Sequence, residues 1–230
     1  MFKFVRSYSL YAALGCLFAV GAHAQSDTPV EHKQLERMDL AFSVPYEVTR
    51  SSSGHNSVGP ISQSVSTAAG FLATFRYTYS PLIGVEMNYK RTRFTQNYIY
   101  PFASLNPTPP PSTIVVPTAL GVEASVIETS WGYVAHTRSS YVGFTPFGGG
   151  GLGSLEFKPT PAGGEGLIRQ FRAVYYWNLG ADYSIMHSHF GARAEMRQLF
   201  YLAPDFGQNY LTSGARTSTL EPSIGFYARF

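Results

Sequence analysis

From position 38 onward, apolar and polar residues alternate along stretches of ten or so positions, separated by segments rich in Ser, Gly, Asn and Pro. A period of two puts successive side chains on opposite faces of an extended strand. Eight such stretches can be drawn, over 38–48, 67–79, 84–96, 123–136, 141–157, 171–186, 189–202 and 218–230. In the sixth, Phe171, Ala173, Tyr175, Trp177, Leu179, Ala181, Tyr183 and Ile185 share one face, and Arg172, Tyr176, Asn178, Gly180, Asp182 and Ser184 share the other. The seventh sets Phe190, Ala192, Ala194, Met196, Phe200 and Leu202 against Gly191, Arg193, Glu195, Arg197 and Tyr201, with Gln198 alone spoiling the apolar side. The fifth is the weakest. Its FTPFGGGGLG run (144–153) breaks clean alternation and predicts a bulge.

The connections alternate too. Those at 80–83, 137–140 and 187–188 are short, whereas 49–66, the Pro-rich 97–122, 158–170 and 203–217 are long. Strict alternation gathers all the long connections at one end of an up-and-down array, the rhythm of a transmembrane barrel with short periplasmic turns and longer outside loops.

Composition then changes the picture. Aromatic residues make up 15% of the chain and charged ones only 13%, an aromatic excess for a water-soluble domain. No apolar run after position 24 is long enough for a membrane helix, so any membrane-spanning elements must be strands. The first 24 residues read as a secretory signal: Lys3 and Arg6, an apolar stretch from Tyr8 to Val20, then Ala22-His23-Ala24 before Gln25. The single cysteine, Cys16, falls inside it, so the expected mature chain carries no disulfide. Residues 25–37 read as a flexible periplasmic segment and 38–230 as the barrel. The 17 basic residues fall to 15 once Lys3 and Arg6 leave with the signal, against 14 acidic ones, and no basic stripe points to nucleic acid.

The chemistry of the two faces separates a membrane barrel from a soluble sandwich. The apolar faces are crowded with Tyr, Phe and Trp, as aromatic girdles require. The polar faces carry Arg76, Lys90, Arg172, Arg193, Arg197 and Arg229 together with Asp39, Glu47, Glu86, Glu128, Asp182, Glu195 and Glu221. Pointed into a lumen of about eight strands, wide enough only for side chains, these should pair into an ionic network and fill it. The expected fold is therefore all-β: an eight-stranded antiparallel up-and-down transmembrane β-barrel. No open sheet edge survives in lipid, so the first strand must pair with the last.

Three features resemble the small eight-stranded outer-membrane barrels of the outer-membrane protein A type. They are the FTPFGGGGLG stretch, the rhythm of long and short connections, and the closing IGFYARF (224–230). The resemblance implies that Ile224, Gly225, Phe226, Ala228 and Phe230 form the signal read by the barrel assembly machinery. It implies residence in the outer membrane among its lipids and lipopolysaccharide. The namesake family carries a peptidoglycan-binding domain after the barrel; here 230 falls at the end of the eighth strand, so anchoring through such a domain is not expected.

The expected role is non-enzymatic, structural or binding through the long outside loops, with a monomer and no cofactor. The Pro-stiffened segment 106–117 is a candidate surface for an extracellular ligand. A lipid-modifying enzyme is the rival. It would draw on His187, Ser188, His189 and Glu195, but the first three crowd a tight turn, and His187 and His189 lack a third metal ligand at a useful spacing. His55 and His136 read as ordinary polar residues. A narrow channel, a carrier of small apolar molecules and a soluble lipocalin-like carrier are also compatible with the pattern of the strands.

Overall fold

The computed structural model describes residues 37–55, 59–106, 112–137, 140, 142–161, 166–186 and 189–230. The predicted signal 1–24 with Cys16, the segment 25–36, and the turn residues His187 and Ser188 lie outside the described residues. The strands are β1 (Met38–Thr49), β2 (Ser52–His55), β3 (Pro60–Val65), β4 (Ala68–Ser80), β5 (Ile83–Asn106), β6 (Ser112–His136), β7 (Phe144–Pro159), β8 (Gln170–Met186), β9 (Phe190–Leu202) and β10 (Arg216–Arg229).

Their order in the sheet is β2-β3-β5-β4-β1-β10-β9-β8-β7-β6, and β5 also pairs with β6. That second pairing closes a ring of eight antiparallel strands, β1 and β4 to β10, and leaves β2 and β3 as an annex on β5. The first strand does pair with the last, through Leu40↔Ala228, Phe42↔Phe226 and Val44↔Ile224. Each predicted strand matches a ring strand, with ends shifted by a few residues except at β5 and β6.

Alternation sorts side chains to the two walls as expected. Asp39, Ala41, Ser43 and Glu47 of β1 are buried in the lumen, while Phe42, Val44, Tyr46 and Val48 are exposed. Trp131, Tyr133, Ile224 and Phe226 are 60–71% exposed on the outer wall. In water such a surface would aggregate; in a bilayer it is the lipid face. Among the described residues no helix is long and apolar enough to cross a membrane. The crossing is made by strands.

Three sequence expectations need correction. The glycine run makes no bulge: β7 pairs in unbroken register with β6 and β8, and the irregularities fall at Thr78/Ser80 and Ser184/Met186, near the short turns. The glycines instead make room inside a narrow ring. A Cβ on Gly149 would lie 2.7 Å from Asn178 Oδ1, and one on Gly132, which faces Gly151, would lie 2.3 Å from the Tyr176 hydroxyl. The Pro-rich connection 97–122 is largely strand, because β5 runs on to Asn106 and β6 begins at Ser112; only 107–111 lie outside the described residues. Pro101 sits opposite Pro117, which confines two missing backbone donors to one rung of the ladder. Finally, the long connection 49–66, in which no strand was expected, holds the β2–β3 hairpin, with β3 pairing β5 from Val65↔Gln96 to Ser62↔Ile99.

Strand β5 has 24 residues, and at ~3.4 Å per residue it reaches about 80 Å, far beyond the ~9–11 residues a tilted strand needs to cross lipid. Its outer half, with β6, β3 and β2, forms a small sheet standing on the long-connection end of the ring.

Candidate functional site in the lumen and at its outer mouth

The lumen is filled in two layers of opposite chemistry. Towards the short turns lies an ionic layer. Arg76 Nε is 3.0 Å from Glu86 Oε2, and its Nη2 is 3.5 Å from Glu195 Oε2. Arg193 bridges Asp39 at 3.0 Å and Asp182 at 2.7 Å. Lys90 Nζ lies 2.8 Å from Glu47 and 3.2 Å from Glu128, and also pairs with Glu221. Arg197 binds Glu128 and Glu221, the latter at 3.2 Å, and its Nε lies 3.7 Å from Glu195. All of these side chains are 4% exposed or less.

Carboxylates outnumber cations in this layer, and neutral donors serve the remaining lone pairs. Thr92 Oγ1 donates to Glu47 at 2.6 Å, and Ser130 Oγ to Glu128 at 2.7 Å. Glu86 accepts from Tyr176 and Asn178, both at 2.9 Å, and Asn178 donates again to Glu195 at 3.2 Å. Phe147 lies within the layer, its ring centroid 3.9 Å from the Arg76 guanidinium and 5.4 Å from that of Arg193.

Towards the outer mouth the lining turns apolar. Phe94, Val122, Ala124, Val126, Leu155, Phe157, Val174, Leu199 and Tyr201 form one buried cluster, covered by Ile61 of β3 and by Phe206 and Leu211 from the β9–β10 connection. Phe157 meets Phe94 edge-on at 6.5 Å and Tyr201 at 5.8 Å. Phe206 reaches inward from a tight turn in which it has φ 49° and Gly207 φ 75°, and Asp205 Oδ1 accepts the Gly207 N–H at 3.1 Å. Its ring packs edge-on against Tyr98 at 6.4 Å, while the Tyr98 hydroxyl donates to Pro204 O at 2.8 Å. Burial pushes the Asp205 carboxyl up, but hydrogen bonds from the Gln170 side chain and the Gly207 N–H, with Arg172 nearby, outweigh it and hold the group below its ordinary value.

Eleven of the expected charged residues thus meet in the ionic layer: Asp39, Glu47, Arg76, Glu86, Lys90, Glu128, Asp182, Arg193, Glu195, Arg197 and Glu221. Two do not. Arg172 sits at the outer mouth, paired with Asp205 at 3.2 Å, and Arg229 lies half-exposed at the opposite mouth with its guanidinium 5.6 Å from the Tyr227 ring. Both lie near strand ends, beyond the closed section of the lumen. On β10, Ile224, Phe226 and Ala228 face outward and Gly225 inward, where a Cβ would meet Phe42 O at 2.0 Å; Phe230 follows the strand, 55% exposed.

The residues weighed for catalysis are not brought together. Glu195 is buried among arginines, while His189 is exposed in a turn, and His187 and Ser188 lie outside the described residues. Among the described residues no group of three His, Cys, Asp or Glu is placed to hold a metal. His136 is half-buried at the mouth near the short turns. His55 borders a groove of about 550 Å³ between the β2–β3 hairpin and β5, lined also by Pro60, Ile61, Ile99, Tyr100 and Pro101.

A closed eight-stranded ring with an apolar, aromatic outer wall and a charge-paired interior is the architecture of the small outer-membrane β-barrels, and this chain has that fold. Among solved structures it is similar to the outer membrane protein OprG from Pseudomonas aeruginosa, at 14% identity and a TM-score of 0.52, covering 84% of this chain and 94% of that one. It is similar also to Neisserial surface protein A, at 10% identity and a TM-score of 0.52, covering 84% and 97%. At these identities the likeness is one of fold. No protein-family profile matches the chain, and no curated protein sequence matches it.

Proposed function

We propose that the protein resides in the outer membrane as a monomeric, non-enzymatic barrel that acts through its outer face and passes no solute through its lumen. The observation that carries this reading is the double closure: a path through the ring would have to break the ionic layer and then displace the Tyr98–Phe206 cap. What stands clear of the closed ring is the outer sheet of β2, β3, β5 and β6, whose groove offers Ile99, Tyr100 and His55 to an extracellular ligand. Recognition by the barrel assembly machinery is part of the same proposal, supported by the apolar outer face of β10 from Leu220 to Ala228.

Planar-bilayer recordings of the purified full chain test the closed lumen; the expectation is no unitary conductance, and reproducible steps would overturn it. Replacing Ile99 and Tyr100 by Ser tests the outer face. Capture of extracellular ligand by whole cells should fall while barrel folding, read by heat-modifiable gel migration, stays intact. Unchanged capture would remove the groove from the proposal.

A further inference from the structure

The outer wall carries charge at one level only. Below it, the outward positions of every ring strand are apolar or neutral, and the outward-facing charges of the strands are Arg91, Arg93, Glu123, Glu156, Lys158 and Arg216, all towards the long-connection end. Most of these belong to one patch. Arg93 on β5 is directly opposite Ser125 on β6, which is directly opposite Lys158 on β7. Two strand spacings put Arg93 and Lys158 about 10 Å apart at Cα, with the small, buried Ser125 between them and Arg91 about 7 Å below Arg93 on the same face. Arg169 joins from the edge of β8 through Glu156 at 2.6 Å, and Arg93 lies 3.6 Å from Glu123. Among the described residues, Arg91 and Lys158 have no ion-pair partner.

From this arrangement we propose that the β5–β7 wall binds the phosphate monoester of an outer-leaflet glycolipid. Position selects a lipid over a soluble anion. The patch faces sideways and begins where the lipid wall of Tyr89, Trp131 and Leu152 stops, so a head group held there keeps its acyl chains on those side chains. Charge selects the monoester. Arg91, Arg93, Lys158 and Arg169 against Glu123 and Glu156 leave a surplus of two positive charges, which a phosphate monoester of about −1.5 to −2 matches and a singly charged phosphodiester does not. Arg91 and Arg93 supply planar donors for phosphate oxygens, and Lys158 a point charge from the opposite side. The proposal rests on the membrane-spanning reading alone and holds whether or not the outer groove binds a ligand.

The test uses the full chain in phosphatidylcholine nanodiscs, titrated with bisphosphorylated lipid A, fully dephosphorylated lipid A, or phosphatidylglycerol, with bound lipid counted by native mass spectrometry. Bisphosphorylated lipid A is expected to bind at least about tenfold tighter than either of the others. The triple variant Arg91→Gln, Arg93→Gln, Lys158→Gln should lose that preference, while Arg216→Gln, a cation on the opposite wall, should keep it. The substituted side chains are exposed on the outer face, and heat-modifiable migration verifies that each variant folds. Equal binding of phosphatidylglycerol, equal binding of the dephosphorylated lipid, or a triple variant with wild-type preference would each overturn the proposal.

Discussion

The two halves of the lumen solve one packing problem with opposite chemistry. Near the short turns the ring is filled by four cations and their carboxylates; near the outer mouth the same strands, a few residues further on, fill it with Phe94, Val126, Phe157, Val174 and Leu199. The inward face of β5 makes the change within one strand, from Glu86, Asn88 and Lys90 through Thr92 to Phe94. An apolar filling tolerates an imperfect neighbour at the cost of a cavity. An ionic filling does not, because each charge depends on partners that no solvent can replace. The two halves should therefore answer substitution differently.

The largest effect is expected in the ionic half. Arg197→Met strips the guanidinium from Glu128, Glu195 and Glu221, and should lower stability by about 3–5 kcal/mol or prevent folding. Urea unfolding in detergent micelles, followed by the gel-mobility difference of folded barrel, measures it. Leu199→Ala in the apolar half should cost less, about 2–4 kcal/mol, with the barrel still folding. If Leu199→Ala proved the more damaging, the contrast between the halves would fail. Gly132→Ala tests the neutral donors of the ionic half: the Tyr176 hydroxyl must shift away from Glu86, for about 1–3 kcal/mol, and Tyr176→Phe in the same chain should recover part of the loss.

The smallest effect is local and pH-dependent. With its carboxyl held below the ordinary value, Asp205 stabilises the cap above its unfolded-state pKa, and this contribution disappears as pH falls through the folded-state value. Hydrogen exchange at 203–215 should therefore speed up in acid, while the ring strands keep their protection. Asp205→Asn should remove most of that acid dependence, and an unchanged pH profile in the variant would clear Asp205 of the role.

The eight ring strands could be read from alternation because one wall meets lipid and the other a narrow interior, so a slip by one residue would reverse every side chain. The ionic partners could be read as a set for the same reason. Which carboxylate meets which arginine could not, since Arg193–Asp39 and Arg76–Glu195 depend on the stagger of strands far apart in sequence. The apolar layer escaped notice although its signal was present: Phe94, Val126, Val174 and Leu199 continue the inward positions, but an apolar residue there breaks the expected pattern instead of extending it. The β2–β3 hairpin left little trace, being short and rich in Ser and Gly. The prolines of 97–122 suggested a loop because a proline ends most strands, and the pairing of Pro101 with Pro117 reconciles these two with a continuous ladder.

The continuity of β5 and β6 from lipid to outer sheet also has a mechanical meaning. No linker separates the sheet from the ring, so a load applied outside is not absorbed by a hinge. It passes along the strands, and the backbone bonds joining β5 to β4 and β3, and β6 to β7, resist it in parallel as shear, not one after another as an unzipping hairpin would. A ligand held at the outer sheet therefore pulls on the whole wall at once.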